Sequence, residues 1–160
     1  MQRQYPEIIF LSTDANSLFE QSQLPFAIHD LPSSFTAFRK LAEQIEEKKP
    51  FKTIKKLPPI PVQLMFMLPE NLAQADNPYF KGGELCAQSH LKDYFSTRAA
   101  SHYKETRNAL QGSYFSTLFS PYLAHGALSP RQVMLSLNEY EDAHGANESS
   151  YWIYFELLWR

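Results

Sequence analysis

Apolar residues recur with a helical period in several stretches of the chain. Phe35, Phe38, Leu41, Ala42 and Ile45 fall close to a 3.6-residue spacing behind Ser33-Ser34, which can cap a helix start. That helix is expected to end in Glu46-Glu47-Lys48-Lys49-Pro50, where lysines suit a C-terminus and proline stops it. After Gly82-Gly83-Glu84 the pattern becomes almost wholly helical. Ala87, Leu91, Tyr94, Phe95 and Ala99 share one face, and a short segment from Tyr103 to Leu110 closes at Gly112. Two Ser-Pro pairs, Ser120-Pro121 and Ser129-Pro130, predict helix starts with serine as N-cap and proline as the first helical residue. The helix from Pro130 places Val133, Leu137 and Tyr140 on one side and closes near Gly145. A final helix, from about Ser149, is apolar nearly all round: Trp152, Ile153, Phe155, Leu157, Leu158 and Trp159. Such a helix belongs inside a larger core.

Proline divides the chain. Nine of its 11 prolines lie in the first 80 residues, including Leu57-Pro58-Pro59-Ile60-Pro61. Each one lacks a backbone donor and fixes φ, so this region reads as extended segments and turns around one helix. The expected organisation is a Pro-rich region with one helix over 1–80 and a helical unit over 81–160. Lys48, Lys49, Lys52, Lys55 and Lys56 form a basic run, more economically a solvated linker than a phosphate contact.

Bulk composition narrows the classes. With 44% hydrophobic and 20% charged residues, the 160-residue chain suits one globular unit or a piece of a larger one. A net charge of -2 leaves nucleic-acid binding to local patches. The lone Cys86 forms no internal disulfide and suits a reducing compartment. No apolar run is long enough for a membrane span, so the expectation is a cytoplasmic protein with no membrane partner.

Four features carry candidate chemistry. Glu156 is the only charged side chain between Trp152 and Trp159 and needs a partner; Arg160, four residues on, suits a helical ion pair. Trp152 and Trp159 beside it are able to hold a planar ligand, although core packing is the commoner fate. The segment 112–120 holds three serines besides Thr117 ahead of a helix start, an arrangement that suits a phosphate or merely caps a helix. Tyr103 and Arg107 share a helical face. The five histidines show no ligand spacing, so no metal site is expected.

Taken in order, Tyr103-Lys-Glu-Thr-Arg-Asn108, Ser116-Thr-Leu-Phe-Ser-Pro-Tyr-Leu-Ala124, Gly126-Ala-Leu-Ser-Pro-Arg131 and Tyr151-Trp-Ile-Tyr-Phe-Glu-Leu-Leu-Trp-Arg160 resemble the photolyase/cryptochrome family. Tyr140-Glu141, the stretch from Asn147 to Trp152, Leu24-Pro-Phe26, Leu31-Pro32, Phe35-Thr-Ala-Phe-Arg-Lys40 and Gly82-Gly-Glu84 are similar to its DASH branch. The resemblance covers roughly residues 18 to 160. It implies a mainly α chain: the opening part of the FAD-binding helical domain, preceded by a Pro-rich, irregular linker with one helix.

In the complete family, reduced flavin excited by blue light donates an electron to a cyclobutane pyrimidine dimer in DNA. The resemblance makes Tyr103, Ser116, Thr117, Leu118, Phe119, Ser120 and Arg160 flavin-site residues. Leu118 stands where a lysine is common in the branch. The resemblance gives Glu156 and Trp159 catalytic and DNA-binding roles, the acid on the damaged base and the tryptophan packed against it. Arg107 would face flavin or DNA phosphate. DNA containing pyrimidine dimers is the expected partner. The match stops before the later part of the family's helical domain, so a truncated relative is expected, colourless and inactive in repair by itself. The rival is a non-catalytic helical remnant used in oligomerisation or DNA binding. The apolar last helix leads to the expectation of a homo-oligomer through Trp152, Phe155 and Leu158.

Overall fold

A computed structural model describes residues 3–11, 16–46, 56, 58–60, 80–112 and 114–160. The described residues are mainly helical and contain no strand. Among the described residues six α-helices follow one another: α1 (Phe35–Ala42), α2 (Glu84–Ser96), α3 (Tyr103–Thr106), α4 (Ser120–Ala124), α5 (Pro130–His144) and α6 (Glu148–Leu157). Short 3-10 turns occur at Gln21–Gln23, Ile28–Asp30 and Ala99–His102. Lys48, Lys49, Lys52 and Lys55 of the basic run, with Leu57 and Pro61 of the proline cluster, lie outside the described residues.

Local chemistry explains most boundaries. Ser34 Oγ accepts from Ala37 N at 3.3 Å and starts α1. The helix ends at Ala42, earlier than its apolar period suggests; turn bonds from Gln44 N to Leu41 O and Ile45 N to Ala42 O carry Ile45 onward. Ser129 caps α5 through Gln132 N at 3.2 Å, and the Gln132 side chain returns a bond to Ser129 N at 2.8 Å, a reciprocal box. Gly145 ends α5 at φ 85, a conformation that a side chain would strain. Ser120 does not cap α4, as its pairing with Pro121 predicted. The N-cap is Phe119, and Ser120 is already the first helical residue. The segment 103–110 is helical only to Thr106, because the chain turns there towards the hydroxyl-rich loop.

The core gathers around α2, α5 and α6. Ala87, Leu91 and Tyr94 from α2 meet Val133, Leu137 and Tyr140 from α5, while Ile153 and Leu157 come from α6. Leu18, Phe19 and Ala42, from the first part of the chain, join the same buried cluster. Arg131, with 6% of its surface exposed, fastens that part: Nε donates to Leu18 O at 3.2 Å and Nη1 lies 3.3 Å from Glu20 Oε1.

The structure covers α6 in part. Leu158 is buried, Phe155 meets Phe35 edge-on at 5.0 Å, and the Arg107 guanidinium lies 4.4 Å from the Trp152 ring centre. Of the three residues invoked for self-association, Leu158 is buried, while Trp152 and Phe155 are partly covered within the chain. Among the described residues no helix is long and apolar enough to cross a membrane.

Tyr94 shows how tightly the core closes. Its hydroxyl is buried with no hydrogen-bond partner among the described residues, and burial raises its pKa far above the usual 10.0, with Tyr103 and Tyr140 adding to the rise. A raised folded-state pKa contributes stability that is fully present below pH 10 and is lost as pH rises further. Tyr94→Phe removes an unsatisfied donor, so thermal melts should show a gain of about 1 kcal/mol at pH 7 and a smaller loss at alkaline pH.

Candidate functional site

The site is built where α3 crosses the start and middle of α6. Asn147 caps α6, accepting from Ser150 N at 2.9 Å, and its Nδ2 donates to Ser101 O at 3.0 Å. Ser149 Oγ accepts from Lys104 N at 3.2 Å and donates to Glu105 Oε2 at 2.9 Å. Lys104 Nζ reaches Glu148 at 2.7 Å. These bonds lock α3 onto the first turn of α6. Tyr103 and Arg107, one helical turn apart, then face the acid on the last turn of α6.

Glu156 takes Arg107 as its ion-pair partner, not the Arg160 that helical spacing suggested. Arg160 follows the end of α6, and its N donates to Leu157 O at 3.2 Å in a closing turn. The Arg107 guanidinium is also laid on Trp152, so one cation serves an acid and an indole on adjacent turns of α6. Burial, and next the Glu156 charge, raise the Tyr103 pKa; the Arg107 charge opposes this first, and the Ser116 and Arg107 side chains add to the opposition as hydrogen-bonding groups.

The hydroxyl-rich loop closes the other side. Leu118 takes φ 53, in the left-handed region, which a branched side chain occupies only when its surroundings impose it. One such constraint is His90 on α2, 2.8 Å from Thr117 O. A carbonyl only accepts, so His90 Nε2 carries the hydrogen. The His90 ring packs against Phe119 at 5.5 Å and Tyr122 at 5.7 Å.

A cavity of about 290 Å³ results, lined by Tyr103, Ser116, Thr117, Leu118, Phe119, Ser120, Leu123, Val133, Ile153, Glu156, Leu157 and Arg160. Of the ten residues to which the resemblance gave a role, eight line this one cavity. Arg107 stands behind it through Glu156. Trp159 goes elsewhere: it stacks on Phe35 of α1 with ring centres 3.7 Å apart and 6° between planes, beside a second cavity of about 470 Å³. Arg160 lines both cavities.

Sequence reasoning missed His90 and Phe35 as parts of the site. His90 has no local signal, since its partner lies 27 positions away. Trp152 was singled out, and its i,i+4 spacing to Glu156 was the clue to a shared face.

No family model matches this chain. Cryptochrome DASH from Vibrio parahaemolyticus is 44% identical over 160 residues, covering all of this chain and 36% of that protein. The Idiomarina loihiensis cryptochrome DASH is likewise 44% identical, with the same coverage. The crystal structure of a Synechocystis cryptochrome superposes with a TM-score of 0.72 at 35% identity, covering 91% of this chain and 32% of that one. The chain belongs with the cryptochrome DASH proteins. It spans about a third of the length of the curated relatives it matches. The helical architecture agrees with the cryptochrome neighbour, as the resemblance implied.

Proposed function

We propose that this cryptochrome DASH relative supplies part of the cradle for FAD and damaged DNA in a blue-light flavoprotein of the photolyase class. On this reading residues 1–80 connect and residues 81–160 open the cofactor-binding helical unit. The observation that carries it is the convergence of Tyr103, three hydroxyl side chains, Glu156 and Arg160 on one cavity. Ser116, Thr117 and Ser120 offer donors to an anionic group, and Arg160 supplies positive charge. The cavity lies at the small end of ligand sites, which suits the phosphate portion of a dinucleotide. The fixed left-handed backbone at Leu118 holds the loop in one shape before any ligand arrives. When bound and reduced, flavin supplies light-driven electron donation to a pyrimidine dimer.

The chain's own residues bind and orient. Tyr103 and Phe119 wall the cavity and exclude water from one side, and Glu156 presents an acceptor held in place by Arg107. Trp159 offers an aromatic face for a base, and Arg107 a cation for phosphate. DNA carrying pyrimidine dimers is the partner this chemistry recognises, in whichever compartment holds that DNA.

Calorimetric titration with FAD, and with ADP as a minimal pyrophosphate probe, tests the reading. Weak but saturable binding is expected from both, in keeping with a protein expected to be colourless as purified, and Arg160→Ala should weaken it at least about tenfold, since a hydrogen bond to a charged group contributes about 1.5–3 kcal/mol. Failure of both ligands to bind overturns the cofactor reading. Retained affinity for dimer-containing DNA would then favour the non-catalytic module.

A further inference from the structure

Trp159 lies beyond the last helical residue of α6, where its own backbone does little to fix the ring. Leu157 ends the helix, and Trp159 N reaches Glu156 O only at 3.4 Å. The ring is nevertheless held, because Phe35 stacks on one face nearly parallel at 3.7 Å. Phe35 is itself braced from two sides, edge-on by Phe155 at 5.0 Å and by Phe38 at 6.2 Å. Trp159 remains 61% exposed despite this contact. With Phe35 against one face, an indole this exposed keeps ring surface beyond that contact open to solvent.

We infer that Phe35 is a positioning residue for Trp159, backing the indole so that a single open face is presented to a stacked planar group. The inference deepens the proposed function and rests on it, since that reading makes the planar group a nucleobase. Phe155 braces Phe35 edge-on, Phe35 lies parallel to Trp159, and the base would be the next layer on the indole. Offset stacking between flat rings favours this order, and base-on-aromatic stacking is tolerant of base identity. The assignment gives α1 a task in the site: it carries the backing ring across from the first part of the chain. Leu18, Phe19 and Arg131 fix that part against the bundle, so the backing ring has an anchor besides its contact with Phe155 of α6.

The test separates the contact from the function it serves. The chain holds two tryptophans, so in protein carrying Trp152→Phe the emission comes from Trp159 alone, and this protein is the reference throughout. Phe35→Ala in that background should raise acrylamide quenching of Trp159 about twofold, because the second ring face opens. Phe35→Leu should give a similar rise, and Phe35→Tyr should keep the reference value. If circular dichroism shows that Phe35→Ala does not fold, Phe35→Leu decides the result.

Binding of a thymine-dimer-containing oligothymidylate is then measured. Phe35→Leu should weaken it roughly three- to tenfold, a part of what loss of a stacking aromatic costs, with Phe35→Tyr restoring it. Unchanged quenching in folded Phe35→Leu overturns the positioning role. Changed quenching with undiminished oligonucleotide affinity overturns its connection to base binding. A reference protein that shows the quenching response and binds no oligonucleotide overturns the reading beneath it, and the base role of Phe35 falls with that reading.

Discussion

Arg131→Met is expected to be among the most destabilising single substitutions in this chain, lowering stability by about 3 kcal/mol. The guanidinium is almost wholly buried and holds Glu20 and the Leu18 carbonyl, more than a hundred positions earlier in sequence. Methionine fills the space of the aliphatic stem but leaves the Glu20 carboxylate, itself about a quarter exposed, without its cation. Removing one partner of a buried pair costs more than the pair contributes net, because the remaining charge stays desolvated. For a chain of this length the melting temperature should fall by roughly 6–12 °C. Glu20→Gln should act in the same direction, and the double variant should recover part of the loss, since neither charge is then stranded. Hydrogen exchange in residues 16–46 should accelerate more than in α5 or α6, because this contact ties the first part of the chain to the bundle. Uniform acceleration across all helices would show instead that Arg131 stabilises the bundle as a whole.

Arg107→Ala should cost about 2 kcal/mol, combining the loss of a partly exposed ion pair with the loss of a cation stacked on Trp152. Both contacts converge on α6, one turn apart, so the C-terminal half of that helix should loosen first. Glu156→Gln keeps an acceptor for Arg107 and removes the charge, and its stability cost should be smaller. It has a second signature. The Glu156 charge is the next largest contributor after burial to the raised Tyr103 pKa, so Glu156→Gln should move the tyrosine titration down towards its usual 10.0. A raised folded-state pKa contributes stability below pH 10 that disappears at higher pH. Glu156→Gln should therefore flatten part of the alkaline fall in melting temperature, and ultraviolet titration of tyrosine should show the same shift. If Glu156 acts on a damaged base, repair by a complete protein carrying Glu156→Gln should fall further than its stability does. Unchanged repair beside a lowered melting point would retire the proposed catalytic role.

These two arginines mark the boundary of what sequence reasoning reaches. Arg131 was visible only as part of a motif, with no hint that it grips Leu18 and Glu20. Arg107 was visible as a neighbour of Tyr103 on a helical face, while Glu156 had an apparent partner at Arg160, four residues away. Spacing ranks local partners first, but α6 ends at Leu157, so Arg160 leaves the helical register on which the expected pair depended. The α3–α6 crossing then brings Arg107 to the acid from 49 positions away.

The sequence by itself determined the helices whose apolar period and caps agree. Ser34, Ser129 and Asn147 each supply a side-chain oxygen to an otherwise unpaired amide, and Gly145 supplies the backbone freedom to stop. It also marked most residues of the cavity, because ordered motifs carried the resemblance to the DASH branch. The tertiary structure alone decided which side chains meet. It turned Trp159 onto Phe35 and away from the cavity that holds Glu156, and it set His90 against the Thr117 carbonyl. It also took Ser120 into α4 as a helical residue instead of a cap. The physical reason is common to the Trp159 and His90 contacts. Helix period and capping are short-range effects written within a few residues, whereas ring stacking and buried hydrogen bonds depend on how separate elements pack, and no local pattern encodes that.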